Sequence, residues 1–243
     1  MERFKTAKQL KEISRENLFG NYGVLIFTYA FMSSLMFLIR DFIGQQTGST
    51  SAIYYAACFI IILLYSAFTV GQYWMYRKVV RSEKPTVADM WTGFKYHADK
   101  AIMIQLILFI PTFVCAIPLS LAIVLYTTTK NPVHYLTISG TLILYLVIIV
   151  LLHLNFSQAF FLLIDHPDES CVELLKHSMR IMRGNKLRLF YLYASFAGIG
   201  LLVILSFGIG ILWAYPYITC ARTLFYEELY AREPGKHIDV TVA

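Results

Sequence analysis

The sequence predicts an all-α integral membrane protein with six transmembrane helices plus three amphipathic helices at the cytoplasmic interface. Composition is one reason: the 243 residues are 58% hydrophobic and only 15% charged, against about 45–50% and about 25% in a soluble domain. Apolar runs of the roughly 20 residues needed to cross a bilayer recur along the chain. The basic residues are also lopsided, with all 21 Lys and Arg except Arg40 and Lys130 in segments that fall on one side of the spans. This composition excludes a soluble enzyme, a disordered tail and a secreted disulfide scaffold, and it favours one polytopic membrane domain over residues 1–243.

The spans are expected at Tyr22–Ile39, Ala52–Tyr76, Ala101–Tyr126, Tyr135–Ile164, Leu189–Phe207 and Ile211–Tyr226. Met1–Gly20 carries alternating charges instead of the basic start and apolar core of a cleavable signal peptide, so span one is expected to remain as an anchor. Pro111 and Pro118 in span three, and Pro216 between two tyrosines in span six, are candidate kinks or hinges, because proline removes a backbone donor and crowds the preceding turn. Span four is longer than one crossing needs. Gly208-Ile209-Gly210 reads as the turn between spans five and six.

The basic residues lie before span one, between spans two and three, between spans four and five, and after span six, where Arg222, Arg232 and Lys236 are counted. The positive-inside rule then places both termini in the cytoplasm, with the protein in the cell membrane and the phospholipid bilayer as its first partner. The opposite loops are short, so any chemistry must lie in the membrane or at its cytoplasmic face. The net charge of +6 fits headgroup contact better than nucleic acid.

Three basic segments open alike, with a hydroxyl followed three residues later by a side chain that can reach back: Thr6 and Gln9, Thr86 and Asp89, Ser170 and Glu173. Apolar residues then recur at helical spacing, and a polar break leads into the next span. Repeat units of one amphipathic helix and two spans follow, over 6–80, 86–165 and 170–229. The alternative is convergence among basic cytoplasmic loops. The helices are expected to lie with their apolar faces in lipid.

In the second half, Asp165-His166-Pro167, Leu174-Leu175-Lys176-His177-Ser178, Met182-Arg183-Gly184-Asn185-Lys186, Gly208-Ile209-Gly210, Tyr215-Pro216-Tyr217 and Phe225-Tyr226-Glu227-Glu228-Leu229 resemble a bacterial membrane family catalogued as domain of unknown function 975. The resemblance is strong over about residues 160–229 and rests on layout alone before that; Ile199 stands where the family pattern suggests Trp. It implies a multi-span inner-membrane protein and supplies neither a substrate nor a catalytic residue.

Two groups of residues are candidate sites. Gln105, His153, Asn155, Ser157 and Gln158 form an intramembrane polar cluster, read as interhelical hydrogen bonding in preference to a substrate or proton path, since no charged residue is expected mid-span. Arg180, Arg183, Lys186 and Arg188 form the densest basic cluster, a candidate contact for anionic lipid or an acidic partner. His166-Pro167-Asp168 reads as a turn that starts a helix. No catalytic motif, cofactor or metal site is expected. The leading function is therefore non-enzymatic scaffolding, assembly or regulation of envelope components, with another membrane protein as partner. The alternative is transport or permeation of an apolar or amphipathic solute, lipid or peptide.

Overall fold

A computed structural model of the protein describes residues 4–233, and every regular element among them is helical. A short capped segment precedes a pair of long helical stretches three times. Helix α1 (Ala7–Leu18) leads to α2 (Tyr22–Thr47) and α3 (Ala52–Val80). A 3₁₀ helix (Val87–Trp91) and α4 (Thr92–Lys95) lead to α5 (Ala98–Thr129) and α6 (Val133–Phe156), which α7 (Ala159–Asp165) extends. Helix α8 (Cys171–Ile181) leads to α9 (Lys186–Ala194) with α10 (Ala197–Leu205), then α11 (Ile211–Tyr230).

The local chemistry of the capped segments is shared. Thr6 Oγ1 accepts the Gln9 N–H at 3.3 Å and Gln9 Oε1 accepts the Thr6 N–H at 2.8 Å. Ser170 and Glu173 exchange the same bonds at 3.3 and 2.9 Å, so both helix starts have orphan donors satisfied. The exits match too. Gly20 and Gly184 both adopt positive φ, +82° and +83°, a region glycine enters without steric penalty. The following Asn21 and Asn185 amides donate back to the carbonyls of Asn17 and Ile181 at 3.2 and 3.1 Å. Each glycine follows its cap by fourteen residues; in the middle segment the positive φ falls on His97, eleven residues after Thr86.

That middle segment is not the amphipathic helix expected. Asp89 accepts the Thr86 N–H at 2.7 Å, while its own N–H bonds the Thr86 carbonyl at 3.0 Å, the closure of a tight 3₁₀ turn. The reason lies in its packing on α3. A Cβ on Gly71 would stand 2.1 Å from the Met90 carbonyl oxygen, and one on Gly93 would stand 1.9 Å from that of Ala67. The two backbones touch, and Trp91 and Phe94 close over Phe68 at ring separations of 5.3 and 4.4 Å.

The apolar stripes of α1 and α8 also turn onto protein instead of lipid. Leu10, Ser14 and Leu18 of α1 are buried, with Cys220 and Ala221 of α11 small enough to admit the helix; Tyr217 Oη bonds the Lys11 carbonyl at 3.2 Å. Leu174, Leu175 and Ile181 of α8 are buried likewise.

Among the described residues, five stretches are long and apolar enough to cross a membrane: Tyr22–Thr47, Ala52–Val80, Ala98–Thr129, Val133–Asp165 and Lys186–Leu205. Helix α11 is not among them because it is built for an interior. It carries Arg222, Glu227 and Glu228, and twelve of its twenty residues are buried, against one of twenty-four in α6. Pro111 and Pro118 lie within the continuous α5 and Pro216 within α11. Breaks between elements occur at Ser157–Gln158 and Ser195–Phe196. At the first, Ser178 Oγ donates to the Asn155 carbonyl at 2.9 Å and accepts the Gln158 N–H at 3.3 Å, so a neighbouring helix satisfies the freed backbone groups.

Two predictions follow from this packing. Gly71→Ala and Gly93→Ala are expected to cost about 1–3 kcal/mol each by overpacking, a fall of roughly 2–12 °C in the unfolding midpoint in detergent. Gly140→Ala, mid-helix with open space around it, should not lower that midpoint and is expected to raise it by about 1–4 °C, from the better helix propensity of alanine. The second concerns acid. Burial raises the Asp89 carboxyl, but Lys78 at 2.8 Å and the Thr86 bonds outweigh it and hold the group below the usual range; the Ser170 N–H and hydroxyl lower Glu173 similarly. A depressed carboxyl stabilises above its unfolded pKa, about 4, and loses that contribution as pH falls through the native value. A D89N/E173Q variant should therefore lose less thermal stability between pH 5 and pH 3 than the native chain.

Candidate functional site: a cleft around Arg222

Arg222 faces inward from the middle of α11. Its Nη1 donates to Tyr73 Oη of α3 at 2.6 Å, and its Nη2 donates to the Ser157 carbonyl, freed at the break in span four, at 2.5 Å. The guanidinium also lies over the Tyr73 and Phe161 rings, 5.1 and 5.5 Å from their centroids. No carboxylate among the described residues pairs with it, and its buried Nε–H has no acceptor. This is a cation held by a phenol, a carbonyl and two ring faces, with a donor left over. Burying a charge costs several kcal/mol unless it is paired.

The guanidinium forms one end of a cleft of about 300 Å³ between α3, α5, α6 and α11. Three residues of the expected polar cluster line it, Gln105, His153 and Ser157. His153 Nε2 also meets Tyr193 Oη of α9 at 3.2 Å. The other two do not line it: the Asn155 amide turns back to the Leu151 carbonyl at 2.7 Å, and the Gln158 amide bonds Ser157 Oγ at 2.9 Å behind it. Beyond the polar end the walls are apolar, with Leu108 and Phe109 from α5 and Ile149 and Leu152 from α6. The Thr112 hydroxyl, also on the lining, is satisfied by the Leu108 carbonyl at 2.8 Å. The cleft therefore grades from a cation to hydrocarbon. A second hollow, between α10 and α11, is almost wholly apolar and offers no such group.

Tyr73 and Arg222 are the residues the sequence reading missed. The signal was present, since Arg222 stands four residues inside the expected end of span six. Grouping it with the basic residues beyond that span concealed it.

The basic cluster separates. Arg188 is drawn into the fold: it donates to Glu228 at 2.8 Å and to the Lys5 carbonyl at 3.3 Å, and lies 3.8 Å over the Phe4 ring. Arg180 and Arg183 stay exposed and Lys186 is half-buried, so the four do not form one surface.

A buried ionic knot closes the bundle beside the cleft. Arg77 meets Asp165 at 2.6 Å and Glu227 at 3.2 Å, and Tyr226 Oη donates to Asp165 at 2.5 Å. The Arg77 and Asp165 side chains are 8% and 11% exposed. Asp165→Asn leaves Arg77 with Glu227 alone and weakens the acceptor for Tyr226, so it is expected to cost about 1–3 kcal/mol of stability. Lys8→Ala, which breaks an exposed pair with Glu12 at 4.0 Å, should cost less than about 0.5 kcal/mol. Chemical unfolding in detergent reads both.

A family model described as a protein of unknown function, DUF975, matches residues 1–233. The kinship therefore extends well past the stretch of about 160–229 in which the sequence motifs are recognisable. Searches of curated proteins and of solved structures found no match. With a family match over nearly its whole length and five apolar helices able to span a bilayer, the chain is a multi-pass membrane protein and belongs to the DUF975 family.

Proposed function

We propose that the protein is a non-enzymatic membrane protein that binds an anionic amphiphile, a carboxylate or phosphate on an apolar tail, in the Arg222 cleft as a step in its transport. The observation that carries this is the buried guanidinium, with no carboxylate partner among the described residues and an unused donor, set at the polar end of a cleft whose other end is hydrocarbon. An acidic headgroup completes that arrangement, because charge-assisted bonds to a guanidinium are strong where water is excluded. A tail would follow Leu108, Phe109, Ile149 and Leu152. Of the two functions left open by the sequence, this cleft favours transport over scaffolding.

The reading carries a topology with it. Helix α11 is the sixth span, shielded by the others, and both termini face the cytoplasm of a bacterial cell, with the phospholipid bilayer as the surrounding partner. The three capped segments are copies of one repeat unit. Helix α6 alone has 24 residues, about 36 Å at 1.5 Å per residue, more than the roughly 30 Å hydrocarbon core. Ser157, just past its end, then falls at the level of the inner-leaflet headgroups. Arg222, bonded to the Ser157 carbonyl, sits where an acidic headgroup would enter. Arg180 and Arg183, exposed nearby on the chain, would contact the same leaflet.

Native mass spectrometry of the protein extracted from its own membrane should find one acidic amphiphile retained per chain. Arg222→Gln should weaken its retention about ten- to hundredfold, the loss of one charged hydrogen-bonding partner, while Lys8→Gln should not. Equal retention by the native and R222Q proteins would contradict the proposal.

A further inference from the structure

A second cluster stands at the end of the bundle where α7, α8 and α11 finish or begin, apart from the Arg222 cleft. We propose that His166, His177 and Glu233 bind a divalent first-row metal ion, Zn²⁺ by the chemistry of the donors, with Glu169 orienting the two imidazoles.

Three observations carry this. One ring nitrogen from each histidine and one Glu233 oxygen lie within 4.8 Å of one another. Three atoms so spaced fall within about 2.8 Å of a common centre, so shifts under about 1 Å, with the 2.7 Å His177–Glu233 pair opening to admit the ion, bring them to the roughly 2.0–2.2 Å of zinc–nitrogen and zinc–carboxylate bonds. The supporting carboxylate is also in place. Glu169 Oε2 faces His177 Nδ1 at 3.2 Å and its Oε1 faces His166 Nδ1 at 3.4 Å, while His177 Nε2 points at Glu233 Oε1, 2.7 Å away. A carboxylate on Nδ1 fixes the tautomer of a ligating ring; the Nε2 atoms now meet Glu233 and, for His166, the Tyr230 hydroxyl at 3.1 Å, contacts that a bound ion would replace. Finally, the charge fits: two carboxylates and two neutral imidazoles present a formal charge of −2, and the donor set of nitrogen and oxygen suits zinc better than magnesium or calcium, which prefer oxygen alone.

The backbone holds these groups in place from both sides. The Ser170 cap starts α8 and so aims His177 back toward the turn. Lys100 Nζ bonds the carbonyls of Pro167 and Glu169, the latter at 3.0 Å, and pins the turn that carries His166 and Glu169. Glu233 arrives just past the end of α11. The His166-Pro167-Asp168 turn thus supplies a ligand as well as a change of direction. A bound ion would tie the α7–α8 turn to the end of the central helix.

The test uses the full chain in detergent, any affinity tag removed. Titration with Zn²⁺ should saturate at one equivalent, and the unfolding midpoint should rise with free Zn²⁺ as mass action requires. Binding should weaken at least tenfold from pH 7.5 to pH 5.5, because both imidazoles must be neutral to ligate. Co²⁺ added to the native protein should give the visible bands of a four- or five-coordinate site, a readout that needs no variant. H166A/H177A should lose the bands and the saturable equivalent. A Co²⁺ spectrum identical to the hydrated ion, or Zn²⁺ binding unchanged in H166A/H177A, would overturn the proposal. Neither result bears on the Arg222 cleft, whose own test reads lipid retention.

Discussion

A guanidinium kept inside the helical bundle, with no carboxylate among the described residues to pair with it, dictates much of the structure around it. Arg222 needs acceptors, and two come from elements that must be placed for the purpose: the Tyr73 hydroxyl on α3 and the carbonyl of Ser157. The second exists only because span four breaks at Ser157–Gln158, and that break holds because Ser178 on α8 takes up the Asn155 carbonyl and the Gln158 N–H. One charged side chain therefore links the break in a membrane helix to the docking of a short capped helix outside it. It also accounts for the makeup of α11, which is surrounded by protein and tolerates charges that a lipid-facing helix would not.

From Arg222 a column of rings runs along the core. Tyr73 stacks on Phe161 at 4.2 Å, Phe161 on Tyr226 at 4.9 Å and Tyr226 on Tyr230 at 5.4 Å. His166 then lies 5.8 Å from Tyr230 and 5.1 Å from His177. The column passes beside the Arg77–Asp165–Glu227 knot, where Tyr226 donates to Asp165. The cleft, the knot and the histidine cluster thus share one packed axis.

Much of this was legible in the sequence, and the parts that were not have physical reasons. The caps at Thr6 and Ser170 were readable because a capping box is local chemistry, set by side chains three residues apart. The middle segment shares the signature at Thr86, but its backbone is settled by the contact of Gly71 with Met90 and of Gly93 with Ala67, which no local pattern reveals. Lipid was the expected partner for the stripes of α1 and α8, since hydrophobic periodicity says that a face is buried and not against what. Gln105, His153 and Ser157 could be found as polar residues in apolar runs. Their convergence on Arg222 depends on tertiary packing, as does the departure of Asn155 and Gln158 from the same cleft. Pro111, Pro118 and Pro216 stay within continuous helices, and the break in span four falls where a neighbouring side chain satisfies the freed backbone, which no local pattern reveals.

The most direct test of the central claim is photo-crosslinking of a carboxylate-headed amphiphile that carries its reactive group along the tail, with adducts mapped by peptide mass spectrometry. The account places the adducts on Leu108, Phe109, Ile149 and Leu152, and has them competed away by an unlabelled acidic amphiphile but not by its neutral methyl ester. Adducts spread over outward residues such as Phe113 and Leu144, equally insensitive to both competitors, would mean that the tail meets the protein only as bulk lipid and that the Arg222 cleft is not a binding site.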